Sequence, residues 1–374
     1  EGTYNAGGGS GGSIYLITGN LTGNGTISSI GGDDDGGGCC TGGGGGRIAI
    51  ILTSSNDYNE FIGTIKTYGG NAGNTDGAAG TIYIEKVDED YGELIIDNPD
   101  NRAICDGTST LIWENVTGTT VGKVTIRNSG ILEVNTSLMV YGDWNNTGTF
   151  DENISTINFF GDSSDNITIH NNESFYNLNI TKKIGSVLFT TGSIINVTNE
   201  FIVQGNSSDD VYLRSTVDGE QWYLNLSGTG DVDYTDVMDS NASYGSQIYA
   251  EHSVDSGNNT NWVIGEDLTD CDNLTSEGAT YYLSSNVSSS GTCINILANN
   301  ITLDCQGYEI NYSYSGTYGR GIDNSDGYNF TTIKNCVIKE GIGTTRYKYG
   351  IYFSGASNGT IENNTIINLG QYGY

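Results

Sequence analysis

The chain of 374 residues has a single proline, Pro99, where average usage of roughly 5% would supply about nineteen. Proline cannot donate to a hydrogen-bond ladder and is confined to sheet edges and bulges, so its near-absence favours stacked, mostly central strands over a loop-rich globule. Basic residues are also scarce: 14 Lys and Arg stand against 45 Asp and Glu, a net charge of −31. Such a surface repels phosphate backbones and anionic lipid, which argues against nucleic acid as a partner. No run of about eighteen apolar residues occurs, so no membrane span is expected. An initiator Met and a basic-then-apolar leader are missing too, the pattern expected of a processed or excised segment.

Two histidines, His170 and His252, and two methionines, Met139 and Met238, leave little for an imidazole or soft-metal site, and no histidine neighbours a methionine. The seven cysteines (39, 40, 105, 271, 293, 305 and 336) contain no Cys-x-x-Cys, which removes the usual signature of zinc. An odd count cannot pair fully within one chain, and vicinal Cys39–Cys40 is awkward to close. Cys271 and Cys293 are the disulfide candidates. Cys305 and Cys336 sit inside apolar strands and read as small packed hydrophobes.

What is abundant is glycine, 56 residues, about twice the usual share of roughly 7%. Asn-x-Ser/Thr is abundant as well, with 21 sites, above chance for this content of Asn, Ser and Thr. The candidate glycosylation sites are Asn115, Asn135, Asn145, Asn153, Asn166, Asn172, Asn179, Asn196, Asn206, Asn225, Asn241 and Asn258 in the middle of the chain. Asn273, Asn286, Asn300, Asn311, Asn329, Asn358 and Asn363 follow. The excess points to a chain that meets an oligosaccharyltransferase outside the cytoplasm. The plainer alternative is that Asn and Thr both suit turns and ladders.

Internal repeats set the organisation. In residues 1–90, "GGSIYLITG" (Gly11–Gly19) recurs as "GGRIAIILT" (Gly45–Thr53) and "AGTIYIEKV" (Ala79–Val87) at a step of 34. "GTISSIGG" and "GTIKTYGG" lie between them. Ile14/Leu16, Ile48/Ile50 and Ile82/Ile84 alternate at the period of a half-buried strand. The glycine run Gly31–Gly46 lacks the Gly-Lys-Ser/Thr of a phosphate-binding loop and precedes a strand, so its expected uses are tight turns and close backbone packing. Residues 91–266 form a second block of short alternating strands, with no capped helical periodicity. Residues 267–374 form a third. There Asn300, Asn329 and Asn358 recur every 29 residues, and Leu303, Ile333 and Ile361 make an inward column if each repeat is one coil. At the recurring asparagines two readings compete, an inward amide ladder and outward sequons. Thr302, Thr331 and Thr360, which a ladder does not need, favour the second. The final "QYGY" reads as the opening of a further rung, which predicts continuation past Tyr374 or end-to-end self-association.

The run "GTCINILANNITLDCQGYEI" (Gly291–Ile310), followed by "TIKNCVI" and "TIENNTI" rungs, resembles the right-handed parallel β-helix repeat family of NosD-like and pectate-lyase-like proteins, as found in large archaeal or bacterial surface proteins. "GEQWYLNLSGTGDVDYTDVMDSNAS" and "DSGNNTNW" are similar to segments of very large secreted or surface-attached proteins. The resemblance implies an all-β, nearly helix-free, right-handed parallel β-helix (β-solenoid); repeat and strand spacing divide it into domains at 1–90, 91–266 and 267–374. It is weak on function, because this fold carries lyases, hydrolases, adhesins and fibres alike.

Chemistry has less to stand on. "NTDG" (Asn74–Gly77) looks like the first motif of polygalacturonases, which pair carboxylates as acid and base, yet neither histidine is flanked by glycines, so the accompanying Gly-His-Gly is missing, as is Arg-Ile-Lys. Asp231, Asp233, Asp236 and Asp239 in "DVDYTDVMD", and Asp33–Asp35, are weak calcium candidates on a very acidic chain. A lyase would also need a base beside calcium, and no basic cluster exists. The 25 Tyr suit strands and would also suit sugar-stacking faces. The expectation is therefore a secreted or cell-surface structural or adhesive solenoid without catalytic residues. It would carry N-glycans, with calcium as the candidate cofactor and cell-surface glycans as candidate partners. The alternative is a carbohydrate-binding or carbohydrate-active β-helix.

Overall fold

In the computed structural model of the chain, residues 7–34, 41–55, 60–72, 75–99, 108–116, 118–206, 208–315, 317–342 and 347–369 are described. Among them there is no helix, and the architecture is all-β. Two compact units emerge: Glu1–Tyr249 with Asp255–Trp262, and Ala250–Val254 with Val263–Tyr374. Among the described residues no helix is long and apolar enough to cross a membrane.

In the first unit the repeats at a step of 34 stack in register. Ile14 pairs with Ile48 and Ile48 with Ile82, in parallel. Thr26–Ser28 and Thr64–Lys66 form their own parallel pair. Alternation decides which face is inward: Ile48, Ile50 and Leu52 are buried while Arg47 is exposed.

The glycines between these strands form a close-packed array. Gly8 and Gly11 donate to Thr41 and Gly44, and Gly42 and Gly45 donate to Thr75 and Ala78. Gly32 donates to Gly9, Gly43 to Gly32, Gly70 to Gly43 and Gly77 to Gly70. Successive donors to one neighbour lie three residues apart, the period of an extended helix that makes no internal hydrogen bonds and must pair outward. Neighbouring backbones approach too closely for side chains. A Cβ on Gly43 would lie 2.0 Å from the Gly9 carbonyl oxygen, and one on Gly70 would lie 1.9 Å from that of Gly32. Close backbone packing is thus what these glycines supply.

One feature lies outside the sequence expectations. Thr81–Glu85 and Glu93–Asn98 pair antiparallel, Ile82 opposite Ile95, so the chain reverses at residues 86–92. The Tyr83 hydroxyl closes this hairpin, accepting from the Gly92 amide at 2.8 Å and donating to Glu85 at 2.7 Å. Beyond it, pairing is parallel again: Glu93–Asn98 with Lys123–Asn128, then Trp144–Asn146, Ile167–His170, Ser186–Phe189, Val211–Ser215 and Thr235–Met238. A second sheet runs alongside through Ser137–Val140, Thr156–Gly161, Glu173–Lys182 and Ile194–Gln204. The core of this part holds Trp144, Phe150, Phe159 and Phe175, with ring centroids 4.8 to 6.3 Å apart.

In the second unit strands recur in cyclic order across three parallel sheets. Ile294 pairs with Ile322 and Ile322 with Ile351; Leu303 with Ile333 and Ile333 with Ile361; Ile310 with Ile338 and Ile338 with Ile366. The expected column is therefore in register, and Leu303 and Ile333 are fully buried while Ile361 on the last described level is 53% exposed. This stacking of parallel strands in long sheets is compatible with a β-solenoid.

Candidate functional site

The cysteines correct one expectation. Cys271 and Cys293 are bonded, and so are Cys305 and Cys336, which the sequence suggested were only packed. The reason is register: each lies two or three positions past a member of the Leu303–Ile333 pair, on adjacent levels, and their Cα atoms are 4.7 Å apart, within disulfide reach. Cys39, Cys40 and Cys105 lie outside the described residues. Two disulfides fit an oxidising, secreted environment.

The recurring asparagines do not form one column. Asn300 and Asn358 take the left-handed conformation at φ 58° and 56°, and Phe330, not Asn329, takes it on the level between them at φ 60°. Asn329 sits one residue earlier, above Asn299: its amide is bonded by the Asn299 Oδ1 at 2.9 Å, and its own Oδ1 accepts from Ser357 at 2.8 Å. The one-residue slip is the difference between a 29-residue asparagine spacing and core steps of 30 and 28, seen in Leu303↔Ile333 and Ile333↔Ile361.

None of the nineteen candidate glycosylation asparagines is buried. They divide by what the side-chain nitrogen does. Asn135 and Asn153 donate Nδ2 to Glu133, whose carboxyl is held below its usual range chiefly by the Ser109 hydroxyl. Asn196 donates to Ser174, Asn225 to Asn196, Asn241 to Gln221 and Asn363 to Asn335. Asn258 donates to both Gly219 and Asp239. In contrast, Asn166, Asn172 and Asn286 use only Oδ1, which accepts from the amides of Ser186, Ile194 and Glu309 on the next level at 2.9, 2.8 and 2.8 Å. Asn206, Asn273 and Asn329 likewise only accept. Asn115, Asn145, Asn179, Asn300, Asn311 and Asn358 make no side-chain hydrogen bond among the described residues; the Asn179 and Asn311 Oδ1 atoms are buried without a partner. Ladder and sequon are therefore compatible: the oxygen can tie levels together while the nitrogen of the exposed residue makes no hydrogen bond among the described residues.

The acidic candidates have separate partners. Asp231 accepts from Gln204, Asp233 from the Tyr234 amide, Asp236 pairs with Arg214 at 2.9 Å, and buried Asp239 accepts from Gly219 and Asn258. Asp33 accepts from the Asn71 amide, and Asp35 lies outside the described residues. Among those residues, no three His, Cys, Asp or Glu side chains converge as a metal site would require. Asp76 of "NTDG" accepts from the Ala72 amide within its own turn, while Asn74 is not described. His170 ends the strand Ile167–His170, and His252 lies 3.7 Å from Glu266.

A groove on the first unit was not anticipated. Two adjoining hollows of about 500 and 410 Å³ share Asp90, Tyr91 and Tyr141. Tyr91 enters from the hairpin, and Tyr141 and Phe160 follow the paired residues Val140 and Phe159 on successive strands. The three rings meet edge-on or tilted, with centroids 5.5 to 5.9 Å apart. Each is followed by glycine, at 92, 142 and 161. Gly161 has φ 135°, and a Cβ there would fall 2.8 Å from the Tyr141 ring, so the glycine makes room for the ring. Seven of the 19 lining residues are Asp or Glu, against 45 of 374 in the chain. Burial, then the charges of Asp162, Asp90 and Asp165, hold the Tyr141 phenol above its usual range. Aromatic-glycine pairs were the available signal, but Tyr-Gly recurs elsewhere in the chain, as at Tyr68, Tyr318 and Tyr349.

Comparison with family models, curated proteins and solved structures returns no match for this chain.

Proposed function

We propose that this chain is part of a secreted or cell-surface structural or adhesive protein, built as a right-handed parallel β-solenoid of the kind its third block resembles and coated with N-linked glycan. One observation carries the reading. The sequon asparagines all reach the surface, and several tie neighbouring levels through Oδ1 while leaving the nitrogen that would bear sugar unengaged. Stacked parallel strands supply a stiff, extendable scaffold, two disulfides suit an extracytoplasmic setting, and a strongly acidic surface keeps such a body soluble. No catalytic role is assigned to any residue.

Glycopeptide mass spectrometry on protein from its native source tests this. Asn166, Asn172 and Asn286 are expected to carry sugar. Asn258 is expected to be bare, because both N–H bonds of its amide are engaged, one by buried Asp239. Unmodified asparagine at the first three sites removes the support for a glycan-coated surface.

A further inference from the structure

We infer that the groove around Tyr91, Tyr141 and Phe160 is a binding site for an oligosaccharide bearing protonated amino groups. This goes beyond the structural role and does not depend on glycosylation of the chain.

Three properties carry it. The first is shape: two joined hollows of about 500 and 410 Å³ each fall within the ~300–1,000 Å³ typical of ligand sites. They also lie across successive strand levels, so a linear polymer could run along them. The second is the aromatic surface. Tyr91, Tyr141 and Phe160 are each half-buried, and their exposed parts offer apolar faces and edges suited to the C–H face of a pyranose. The third is charge. Asp88, Glu89, Asp90 and Glu93 come from the hairpin side, and Asp143, Asp162 and Asp165 from the turns opposite. Only two lysines line the groove, and Lys123 is 3.6 Å from Asp143. Asp88 and Asp90 have no ion-pair partner among the described residues.

Together these choose a ligand class. Carboxylates at this density repel polyuronides and other anionic sugars. They accept hydrogen bonds from hydroxyls and attract ammonium groups, which also gain from nearby ring faces. A basic peptide would satisfy the carboxylates but would leave the three-ring surface without a purpose. Ser163 and Thr181, which also line the groove, add neutral polar groups of the kind sugars use.

The test uses the full chain made in a host without N-glycosylation, so that no sugar at Asn166 competes. Calorimetric titration compares a glucosamine oligomer, its fully N-acetylated counterpart, a galacturonic acid oligomer and an oligolysine of equal charge. The glucosamine oligomer should bind most tightly. Its affinity should fall steeply between about 0.01 and 1 M salt, as the screening length drops from ~30 to ~3 Å. Tyr141→Ala should weaken binding about tenfold, the loss of one desolvated cation–π and stacking contact. The double variant Asp90→Asn, Asp162→Asn keeps the groove's shape, leaves five of its seven carboxylates, and should make the salt dependence shallower with a comparable loss of affinity. Oligolysine binding as tightly as the sugar, with Tyr141→Ala unaffected, would reduce the site to a charge patch and overturn the inference. Preference for the N-acetylated or the uronic oligomer, or no binding by any of the four, overturns it as well.

Discussion

At the scale of single residues, the informative groups are polar ones that the fold has taken inside. Glu173 is 6% exposed and lies in the aromatic core, where its carboxylate accepts from Trp144 Nε1 at 2.6 Å, Asn146 Nδ2 at 2.9 Å and the Ser174 amide at 3.0 Å. Burial raises its pKa, and the three donors only partly oppose that rise. A carboxyl whose folded pKa exceeds its unfolded value contributes stability that is complete below the unfolded value, near 4.3, and is lost as pH rises through the folded one. Glu173→Gln has no such titration. It carries a fixed penalty, because its amide nitrogen faces a donor, but its stability relative to the parent should improve between about pH 4 and pH 7. Urea midpoints across that range check this; a pH-independent difference would mean that the group does not titrate abnormally. None of this was visible in the sequence, where Glu173 stands in an ordinary Asn-Glu-Ser run and only the folded chain puts it against Trp144. The surface asparagines were legible because their motif is local. Which of them spend their nitrogen on a neighbour was not, since, apart from the Glu133 partner of Asn135, the acceptors lie about twenty or more residues away.

At the scale of elements, repeats at a fixed step were readable because apolar alternation marks each strand and the step places like on like, as at Ile14, Ile48 and Ile82. The hairpin at residues 86–92 was hidden by turn chemistry common to the other loops. The Cys305–Cys336 bond was hidden by treating two cysteines on adjacent levels as neighbours in packing alone. The glycine array shows how a low-complexity run can still be exacting. Gly43 and Gly44 are adjacent in sequence, yet a Cβ on Gly43 meets the Gly9 carbonyl oxygen at 2.0 Å while one on Gly44 meets nothing within 4 Å. Gly43→Ala should therefore destabilise the first unit by an amount at or beyond the upper end of the ~1–3 kcal/mol of an overpacked core. Gly44→Ala should cost little. Equal denaturation midpoints for the two would mean that the array yields readily at Gly43.

At the scale of the whole chain, the two units differ in what secures them. The first depends on paired backbone in the glycine array and on an aromatic and aliphatic core. The second encloses both disulfides within its hydrophobic cluster, where Cys293, Cys305 and Cys336 are buried beside Ile294, Leu303 and Ile333. Those bonds close loops of 22 and 31 residues, for which loop entropy gives about 3–4 kcal/mol each. A unit of roughly a hundred residues has a total stability of about 5–15 kcal/mol, so loss of both bonds removes a large share of it. Reduction should thus lower the thermal transition of the second unit alone, and a single calorimetric envelope should separate into two. The replacement pairs Cys271→Ser with Cys293→Ser, and Cys305→Ser with Cys336→Ser, should each reproduce part of the shift without reductant. The second pair should cost more, since its two sulfurs are buried and each serine hydroxyl would need a partner in an apolar layer. If reduction moves both transitions together, the disulfides do not act within one unit. If neither transition moves, stacking alone holds the levels in place, and the cysteines are dispensable for stability.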